Sequence, residues 1–336
     1  MGGIGWCYVG PAWFVGGLTD DEGRDVTVAD QQLLAQRFEE QRTHLRAVAY
    51  RMLGSLTEAD DAVQEAWLRL SRADTDDVAN LAAWLTTVTG RICLDMLRSR
   101  TARREEPLDV RLPDPVISYD DDGDPEHEAL TADAVGLALL VVLETLTPAE
   151  RLAFVLHDLF GVPFTEIGPI VGRTPDAAKM LASRARRRVR SGAVEPDADP
   201  RRQREIVEAF LAAARAGDFG ALVELLDPDV VLRADMGAAA PADLTMLVRG
   251  ATAVAGRALL FAQPGGSSEH ALVNGAAGVV TRRDGRLVAV LGFTITHGRI
   301  VAIASTVPRD GASNAMRTEP GVMFASSVMP NHSDAS

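Results

Sequence analysis

Cysteine is scarce in this sequence, which has only Cys7 and Cys93 in 336 residues. Two distant cysteines cannot form the disulfide framework of a small secreted domain, nor a metal site of clustered thiolates. The residues therefore predict a protein of a reducing compartment, and we expect it in the cytoplasm. They give no reason to expect a metal ion or an organic cofactor.

Long apolar runs are missing as well. The first eighteen residues, MGGIGWCYVGPAWFVGGL, are apolar, but glycines and a proline interrupt them and no basic residue precedes them. This pattern differs from a signal peptide, and no later run reaches the roughly 20 residues that a bilayer requires. We expect no membrane contact. We expect residues 1–29 to be an extension that is disordered or lies upstream of the true start.

An excess of positive charge is also absent, because the chain carries a net charge of −13 at pH 7. Such a charge argues against a basic coat for nucleic acid or anionic lipid, although it leaves room for a local basic site. One stretch reverses the balance. Residues 173–190, RTPDAAKMLASRARRRVR, hold seven cations and one acid.

The residues around this stretch predict a helix–turn–helix. Residues 166–171 suit a short helix, Gly172 forms a turn, and Thr174 can cap a second helix with Pro175 at its first position. The apolar residues of the second helix fall on one stripe, which leaves a polar face for a DNA groove. We expect nucleic-acid contacts from Arg173, Thr174, Lys179, Ser183, Arg184 and Arg187. The alternative is a solvated basic helix, but these cations lack matching acids at i±4.

The chain as a whole predicts several domains. Helical patterns over 30–104 and 130–191 enclose an acidic, proline-containing linker, 105–129, and a second linker follows at 192–201. Residues 202–308 predict an α+β domain with its helices first and an antiparallel meander of ALVNGAAGVVT, RLVAVLGFTIT and RIVAIAST. We expect residues 309–336 to be a disordered tail.

At this point the sequence resembles the sigma-70 family of RNA polymerase sigma factors. FEEQRTHLRAVAYRMLGSLTEADDAVQEAWLRL and AAWLTTVTGRICLDMLRSRTARRE resemble region 2. LTPAERLAFVLHDLFGVPFTEIGPIVGRTPDAAKMLASRARRRVR resembles region 4, which binds the −35 element. Because no folded region 3 intervenes, the chain is similar to the compact, extracytoplasmic-function type. The resemblance implies two all-α domains, with core RNA polymerase and promoter DNA as partners.

The resemblance also implies roles for particular residues. It assigns contacts with the β′ clamp helices of the polymerase to one helix, through Asp60, Asp61, Gln64, Glu65 and Trp67. It assigns the −10 element to Arg91, Arg98, Arg100, Arg103 and Arg104, and a flipped base to the loop at 75–80. The β flap of the polymerase is the expected partner of region 4. Arg91 stands where the family commonly has Asn, so promoter preference cannot be transferred.

REIVEAFLAAARAGDFGALVELLDPDVVLRAD resembles the start of a SnoaL-like domain, which implies a cone of helices and curved sheet around a pocket. A subgroup of sigma factors carries this domain behind region 4, where it is thought to regulate the factor in cis. Two segments resemble motifs of that subgroup. They are the linker residues Leu112, Pro113, Asp114 and Pro115, and the domain residues Val273, Asn274 and Gly275.

A second interpretation is a ligand-responsive helix–turn–helix regulator or a small-molecule enzyme. Asp235, His270 and His297 are the acid–base candidates, with a small-molecule ligand in the C-terminal pocket. His297 precedes Gly298 in a turn, which favours exposure over catalysis. No catalytic constellation is evident, so we expect no enzyme. The polymerase-docking helix separates the two interpretations, because a repressor does not need one.

Overall fold

The computed structural model describes residues 28–73, 80–103, 112–119, 137–192, 197, 199–235, 245–261, 267–284 and 286–307. The chain divides into two compact units, residues 1–43 and 44–336, and the packing below concerns the second unit. The predicted tail, the loop at 75–79 and most of the predicted N-terminal extension lie outside the described residues.

Three helices come first in the described part of the chain, and we call them the N-terminal helices. They are α1 (Val28–Leu53), α2 (Leu56–Leu70) and α3 (Leu81–Arg103). Gly54 ends α1 with a left-handed backbone (φ +69°), a conformation that favours glycine. The buried face of α2 is made of Ala59, Ala62, Val63, Ala66 and Leu70. Its remaining face is left for contacts outside the fold.

The second helical segment contains α4 (Leu137–Glu144), α5 (Pro148–Phe154), α6 (Phe164–Val171) and α7 (Pro175–Gly192). A π-helical turn, Val155–Leu159, continues α5. Thr147 and Glu150 form a capping box at the start of α5. Gly172 ends α6 in the left-handed region, and Thr174 Oγ1 accepts from the Ala177 N–H at 3.3 Å. The predicted helix–turn–helix is therefore confirmed.

The N-terminal helices and the second helical segment share one hydrophobic core, which the sequence did not predict. Gly90 of α3 permits this contact, because a Cβ there would lie 3.1 Å from Leu156 Cδ1. Arg151 of α5 is fully buried, and its Nη1 donates to the Met52 carbonyl and to Glu144 Oε1, both at 2.8 Å. Within the described residues its Nε and Nη2 have no partner. The two segments are therefore joined by packing and by a buried ion pair.

The C-terminal domain is α+β, as predicted. It contains α8 (Pro200–Ala216), α9 (Phe219–Leu225) and α10 (Ala251–Phe261). Its strands are β2 (Leu226–Asp235), β3 (Thr245–Arg249), β4 (Ser267–Val273), β5 (Ala276–Arg283), β6 (Arg286–Thr296) and β7 (Arg299–Thr306). The helices pack on the sheet around a separate apolar core that includes Phe210 and Phe293.

The sheet differs from the predicted meander in two ways. ALVNGAAGVVT is not one strand, because Asn274 and Gly275 turn it into the β4–β5 hairpin. With the two-residue strand β1 (Ile117–Ser118) at one edge, the sheet order is β1-β4-β5-β6-β7-β2-β3, and β2 pairs with β7 in parallel. Strands β2 and β3 and helix α10 were not predicted.

Strand β1 (Ile117–Ser118) lies within the predicted acidic linker. It pairs with β4 in antiparallel register, Ile117 opposite Val273 and Ser118 opposite Leu272. The linker thus becomes an edge strand of the C-terminal sheet. No helix in the described part of the chain is long and apolar enough to cross a membrane.

Candidate functional site

The polar face of α7 carries several exposed cations. Lys179, Arg184 and Arg187 are exposed, and none of the described acids forms an ion pair with them. Arg186 and Arg188 are instead held by Asp158 Oδ1 and Glu150 Oε2, each at 2.6 Å. The helix therefore separates cations that brace the fold from cations that can meet phosphates.

The remaining predicted residues of this helix–turn–helix lie on the same side. Arg173 and Thr174 are exposed at the start of α7, and Ser183 is half-buried one turn beyond Lys179. The opposite stripe, with Ala178, Ala182 and Ala185, is buried in the shared core.

The predicted −10 residues on α3 are not equivalent. Arg91 and Arg98 are exposed two turns apart on one face, and Arg98 Nη1 lies 3.8 Å from Asp95 Oδ1. Arg100 is held inside the N-terminal helices, where it pairs with Glu58 and donates to the Leu53 carbonyl at 3.3 Å. Arg103 is the last residue of α3, and Arg104 lies outside the described residues. Asn80, the last residue of the predicted base-flipping loop, caps α3 by accepting from the Ala83 N–H.

The predicted polymerase-docking residues divide in a similar way. Asp61 and Gln64 are exposed, and Leu68 extends the same stripe at i+7 with 38% of its surface exposed. Asp60 is bound by Arg46, Nε to Oδ1 at 2.6 Å, and Glu65 pairs with Arg69 at 2.9 Å. Trp67 is half-buried. Leu68 is not among the predicted docking residues, although its spacing of seven from Asp61 and four from Gln64 indicates the same stripe.

The two predicted regulatory motifs meet in space. Val116 of the linker packs into the shared helical core, whereas the next residue, Ile117, packs among the strands of the C-terminal sheet. Leu112 is buried with Ala304 of β7 and beside Val141 of α4. An extended chain places successive side chains on opposite sides, so this short segment joins two cores.

A buried hydrogen-bond network joins the same elements. Asp114 N–H donates to the Gly54 carbonyl at 2.8 Å, and Asp114 Oδ2 accepts from the Leu56 N–H at 2.9 Å. Tyr50 of α1 donates through its hydroxyl to the Asp114 carbonyl at 2.5 Å. Asn274 Nδ2 donates to the Tyr50 hydroxyl at 2.7 Å. The network thus runs from the C-terminal hairpin through α1 to the linker.

Burial raises the pKa of the Tyr50 phenol above its usual range, because the anion would lose its hydration. The hydroxyl is therefore neutral and can both donate and accept. All three tyrosines lie outside residues 202–308 in sequence, yet two of them reach the C-terminal domain. The Tyr119 hydroxyl accepts from Arg282 Nη2 at 3.3 Å. Tyr50 could not be recognised from the sequence, because its position in α1 fits an ordinary core residue.

The acid–base candidates do not assemble into a described site. His297 is exposed in the β6–β7 turn, as expected. His270 on β4 is half-buried, 3.9 Å from Glu208, and Asp235 ends β2, which is four strand positions away in the sheet. Among the described residues, no group of three or more His, Cys, Asp and Glu could hold a metal ion. A ligand in the C-terminal pocket stays a prediction.

Comparisons with known proteins agree with this arrangement. Residues 38–103 match the family model of sigma-70 region 2, and residues 136–189 match that of sigma-70 region 4. The ECF RNA polymerase sigma factor SigJ of Mycobacterium tuberculosis is 43% identical over 281 residues, which are 82% of this chain and 87% of SigJ. The SigJ crystal structure aligns with TM-score 0.66 and 38% identity, over 82% of this chain and 97% of that one. The aligned length exceeds the two sigma-70 segments together, so the likeness extends into the C-terminal domain.

Proposed function

Because the chain belongs to the extracytoplasmic-function (ECF) RNA polymerase sigma factors, we propose that it directs core polymerase to promoters under the control of its own C-terminal domain. In this proposal α7 reads the −35 element, α3 binds the −10 element and α2 docks on the β′ clamp helices. The second helical segment meets the β flap. The protein acts in the cytoplasm, where its polymerase and DNA are, and is not an enzyme.

Two exposed basic faces support the DNA-binding part of the proposal. Lys179, Arg184 and Arg187 on α7, and Arg91 and Arg98 on α3, are exposed cations on two different helices. Arginine pairs with phosphates and with guanine edges, so each face suits a DNA groove or backbone. The exposed Asp61, Gln64 and Leu68 support polymerase docking, because a partly apolar stripe with charges suits a protein interface.

The observation that carries regulation in cis is the position of the linker. Residues 112–118 contact the α1–α2 turn, helix α4 and the C-terminal sheet at the same time. Through this segment the C-terminal domain holds the two DNA-binding segments in the arrangement described here. A change in the C-terminal domain would therefore change how they are presented.

This arrangement cannot read both promoter elements. Helix α3 packs on α5, and α5 packs on α7, so α3 and α7 are separated by two helix packings, or roughly 20 Å at 8–10 Å each. The −35 and −10 positions lie about 25 base pairs apart, or roughly 85 Å at 3.4 Å per base pair. The described form is therefore closed with respect to a promoter, and the shared core must open before both elements are bound.

Run-off transcription with core polymerase tests the proposal. Full-length protein and residues 1–200 are compared on a candidate promoter, and pull-down of core polymerase is measured in parallel. We expect specific transcripts from both proteins, in different yields. A higher yield from residues 1–200 would mean that the C-terminal domain inhibits transcription, and a lower yield would mean that it activates transcription. Equal yields would refute regulation in cis. Silence from both without core binding would favour the ligand-responsive regulator.

The docking surface has its own control. Asp61→Lys should abolish capture of core polymerase, because it reverses the one charge on the exposed α2 stripe of Asp61, Gln64 and Leu68. Asp229→Lys makes the same change at an exposed position on β2 and should leave capture unaffected. Equal capture by the two variants would remove α2 from the proposal.

A further inference from the structure

The N-terminus of α2 is capped from outside its own helix. The first N–H groups of any helix have no partner within the helix, and a preceding Ser usually supplies one. Ser55 is the residue at that position, but its side chain makes no capping hydrogen bond to any described residue. Asp114 Oδ2 accepts from the first amide, that of Leu56, at 2.9 Å instead. The linker therefore supplies the cap.

Asp114 is held in this position by two hydrogen bonds of its backbone. Its N–H donates to the Gly54 carbonyl, and its carbonyl accepts from the Tyr50 hydroxyl. The carboxylate is then directed at Leu56 by the backbone and not by its own rotamer alone. A carboxylate at a helix N-terminus is also favoured by the helix dipole.

Asn274 in turn fixes Tyr50 and the linker. Its Nδ2 donates to the Tyr50 hydroxyl, its Oδ1 accepts from the Val116 N–H at 3.3 Å, and its N–H donates to the Val116 carbonyl at 2.7 Å. The backbone at Asn274 is left-handed (φ +50°), which Asn tolerates better than most residues. The position needs both this backbone and a side chain that donates and accepts.

We propose that Asn274, Tyr50 and Asp114 form a relay through which the C-terminal domain positions the first turn of the polymerase-docking helix α2. Asp114 is a positioning residue, since it acts on α2 and not on polymerase itself. The relay gives one shared role to the two predicted motifs, because Asp114 belongs to the linker motif and Asn274 to the motif of the C-terminal domain. Its link to polymerase rests on the docking role of α2 under the proposed function.

Amide-resolved hydrogen exchange on the free full-length protein tests the relay. Asp114→Ala removes the cap and should increase exchange of the Leu56 amide by about 2- to 30-fold. Asp114→Asn keeps an accepting oxygen and should stay near the wild type. Asn274→Gly keeps the left-handed turn but deletes the amide side chain, and it should also increase Leu56 exchange. The amide of Ala221, which Asp218 caps in α9, serves as the internal control.

Three outcomes of this experiment would overturn the relay. Unchanged Leu56 exchange in Asp114→Ala would show that Asp114 is not the cap. Increased exchange in Asp114→Ala but not in Asn274→Gly would show that the linker caps α2 without the C-terminal domain. Equal increases at Leu56 and Ala221 would indicate general destabilisation. If Asn274 acts on Leu56 through Asp114, the double variant Asp114→Ala/Asn274→Gly should exchange its Leu56 amide at the same rate as Asp114→Ala alone.

Binding of core polymerase by the same variants tests the link to docking. Asp114→Ala and Asn274→Gly should weaken binding by a factor within the range seen in exchange, and Asp114→Asn should not. Normal binding by all variants despite faster Leu56 exchange would overturn the link to docking. Absence of core binding by the wild type would be a failure of the proposed function, whereas the exchange result on the free protein would still stand.

Discussion

Tyr50 forms a direct hydrogen bond between the N-terminal helices and the C-terminal domain, through the Asn274 amide. Tyr50→Phe keeps the ring but leaves the Asn274 amide and the Asp114 carbonyl without this hydroxyl. Of these two groups the Asn274 amide is buried, and leaving one buried polar group unpaired costs about 1–3 kcal/mol, so we expect a loss of unfolding free energy in that range. Chemical denaturation of the two proteins at pH 7 measures it. An unchanged midpoint would mean that the hydroxyl is not a stabilising contact.

The raised pKa of Tyr50 also predicts how stability depends on pH. The unfolded phenol ionises near pH 10, whereas burial keeps the folded phenol protonated. Above about pH 10 the unfolded chain thus binds fewer protons, and stability falls as pH rises. Tyr50→Phe should reduce this alkaline slope by up to about 1.4 kcal/mol per pH unit. Denaturation midpoints at pH 9, 10 and 11 test it, and parallel slopes would contradict it.

The arginines of α7 allow a third prediction about single residues. In holoenzyme–promoter binding, log affinity falls as log salt concentration rises. Arg184→Ala and Arg187→Ala should each make this negative slope shallower by about 1, because each removes a phosphate contact. Arg186→Ala is the matched control, since Arg186 is paired with Asp158 and should leave the slope unchanged. The same slope change in all three variants would mean that the ion pairs do not define the DNA-binding face.

At the scale of elements, local patterns predict some features and not others. Helix α7 was predictable because its cap, its first proline and its apolar stripe all lie within eighteen residues. The β4–β5 hairpin was predictable in principle, since Asn274-Gly275 is a favoured turn sequence, but its apolar flanks were interpreted as one strand. Strand β1 was not predictable, because Ile117 and Ser118 form a strand only by pairing with β4, about 150 residues later in the chain.

The same reasoning applies to the candidate site. Exposed cations and acids follow from helical periodicity, so the exposure of Arg184 and Asp61 could be predicted from the sequence, whereas their binding roles stay predictions. Arg100 could not be separated from Arg98, because its partner Glu58 belongs to a different helix. The convergence of Asp114 and Asn274 depends on contacts between distant segments. A motif in the sequence indicates that such residues matter but not where they meet.

The contact between α3 and α5 gives a prediction about whole elements. A Cβ at Gly90 would approach flexible Leu156 and Leu152 side chains at 3.1 and 3.4 Å, so Gly90→Ala should be tolerated. Gly90→Leu adds volume that this contact cannot hold, at a cost of about 1–3 kcal/mol, and should separate the two helices. The distance between spin labels at positions 98 and 187 should increase.

Gly256→Leu is the control for this substitution. Gly256 also lies within a helix, α10, but a Cβ there would meet no described atom within 4 Å. The label distance should therefore match the wild type. An unchanged distance in Gly90→Leu, in a protein that remains folded, would show that the shared core can absorb the side chain and that Gly90 does not set the closed arrangement.

For the whole molecule, the shared core and the net charge of −13 together predict that the free protein binds promoter DNA weakly. Free protein in the closed form can bind only one promoter element at a time. It therefore lacks the increase in affinity that two linked binding contacts provide. Its negative net charge also repels the DNA phosphates, which weakens binding at low salt. We expect it to bind promoter DNA in the range of non-specific complexes, about 10⁻⁴–10⁻⁶ M at physiological salt.

Holoenzyme should behave differently, because docking on polymerase separates α3 from α7 so that both elements are bound. Fluorescence anisotropy on a promoter identified by run-off, with either element scrambled, distinguishes the two states. Scrambling at least one of the two elements should leave the affinity of the free protein unchanged, whereas scrambling either one should weaken holoenzyme binding by at least tenfold. Dependence of the free protein on both elements would contradict a closed form held by the shared core. It would mean that the two segments separate without polymerase, and that the C-terminal domain controls something other than their spacing.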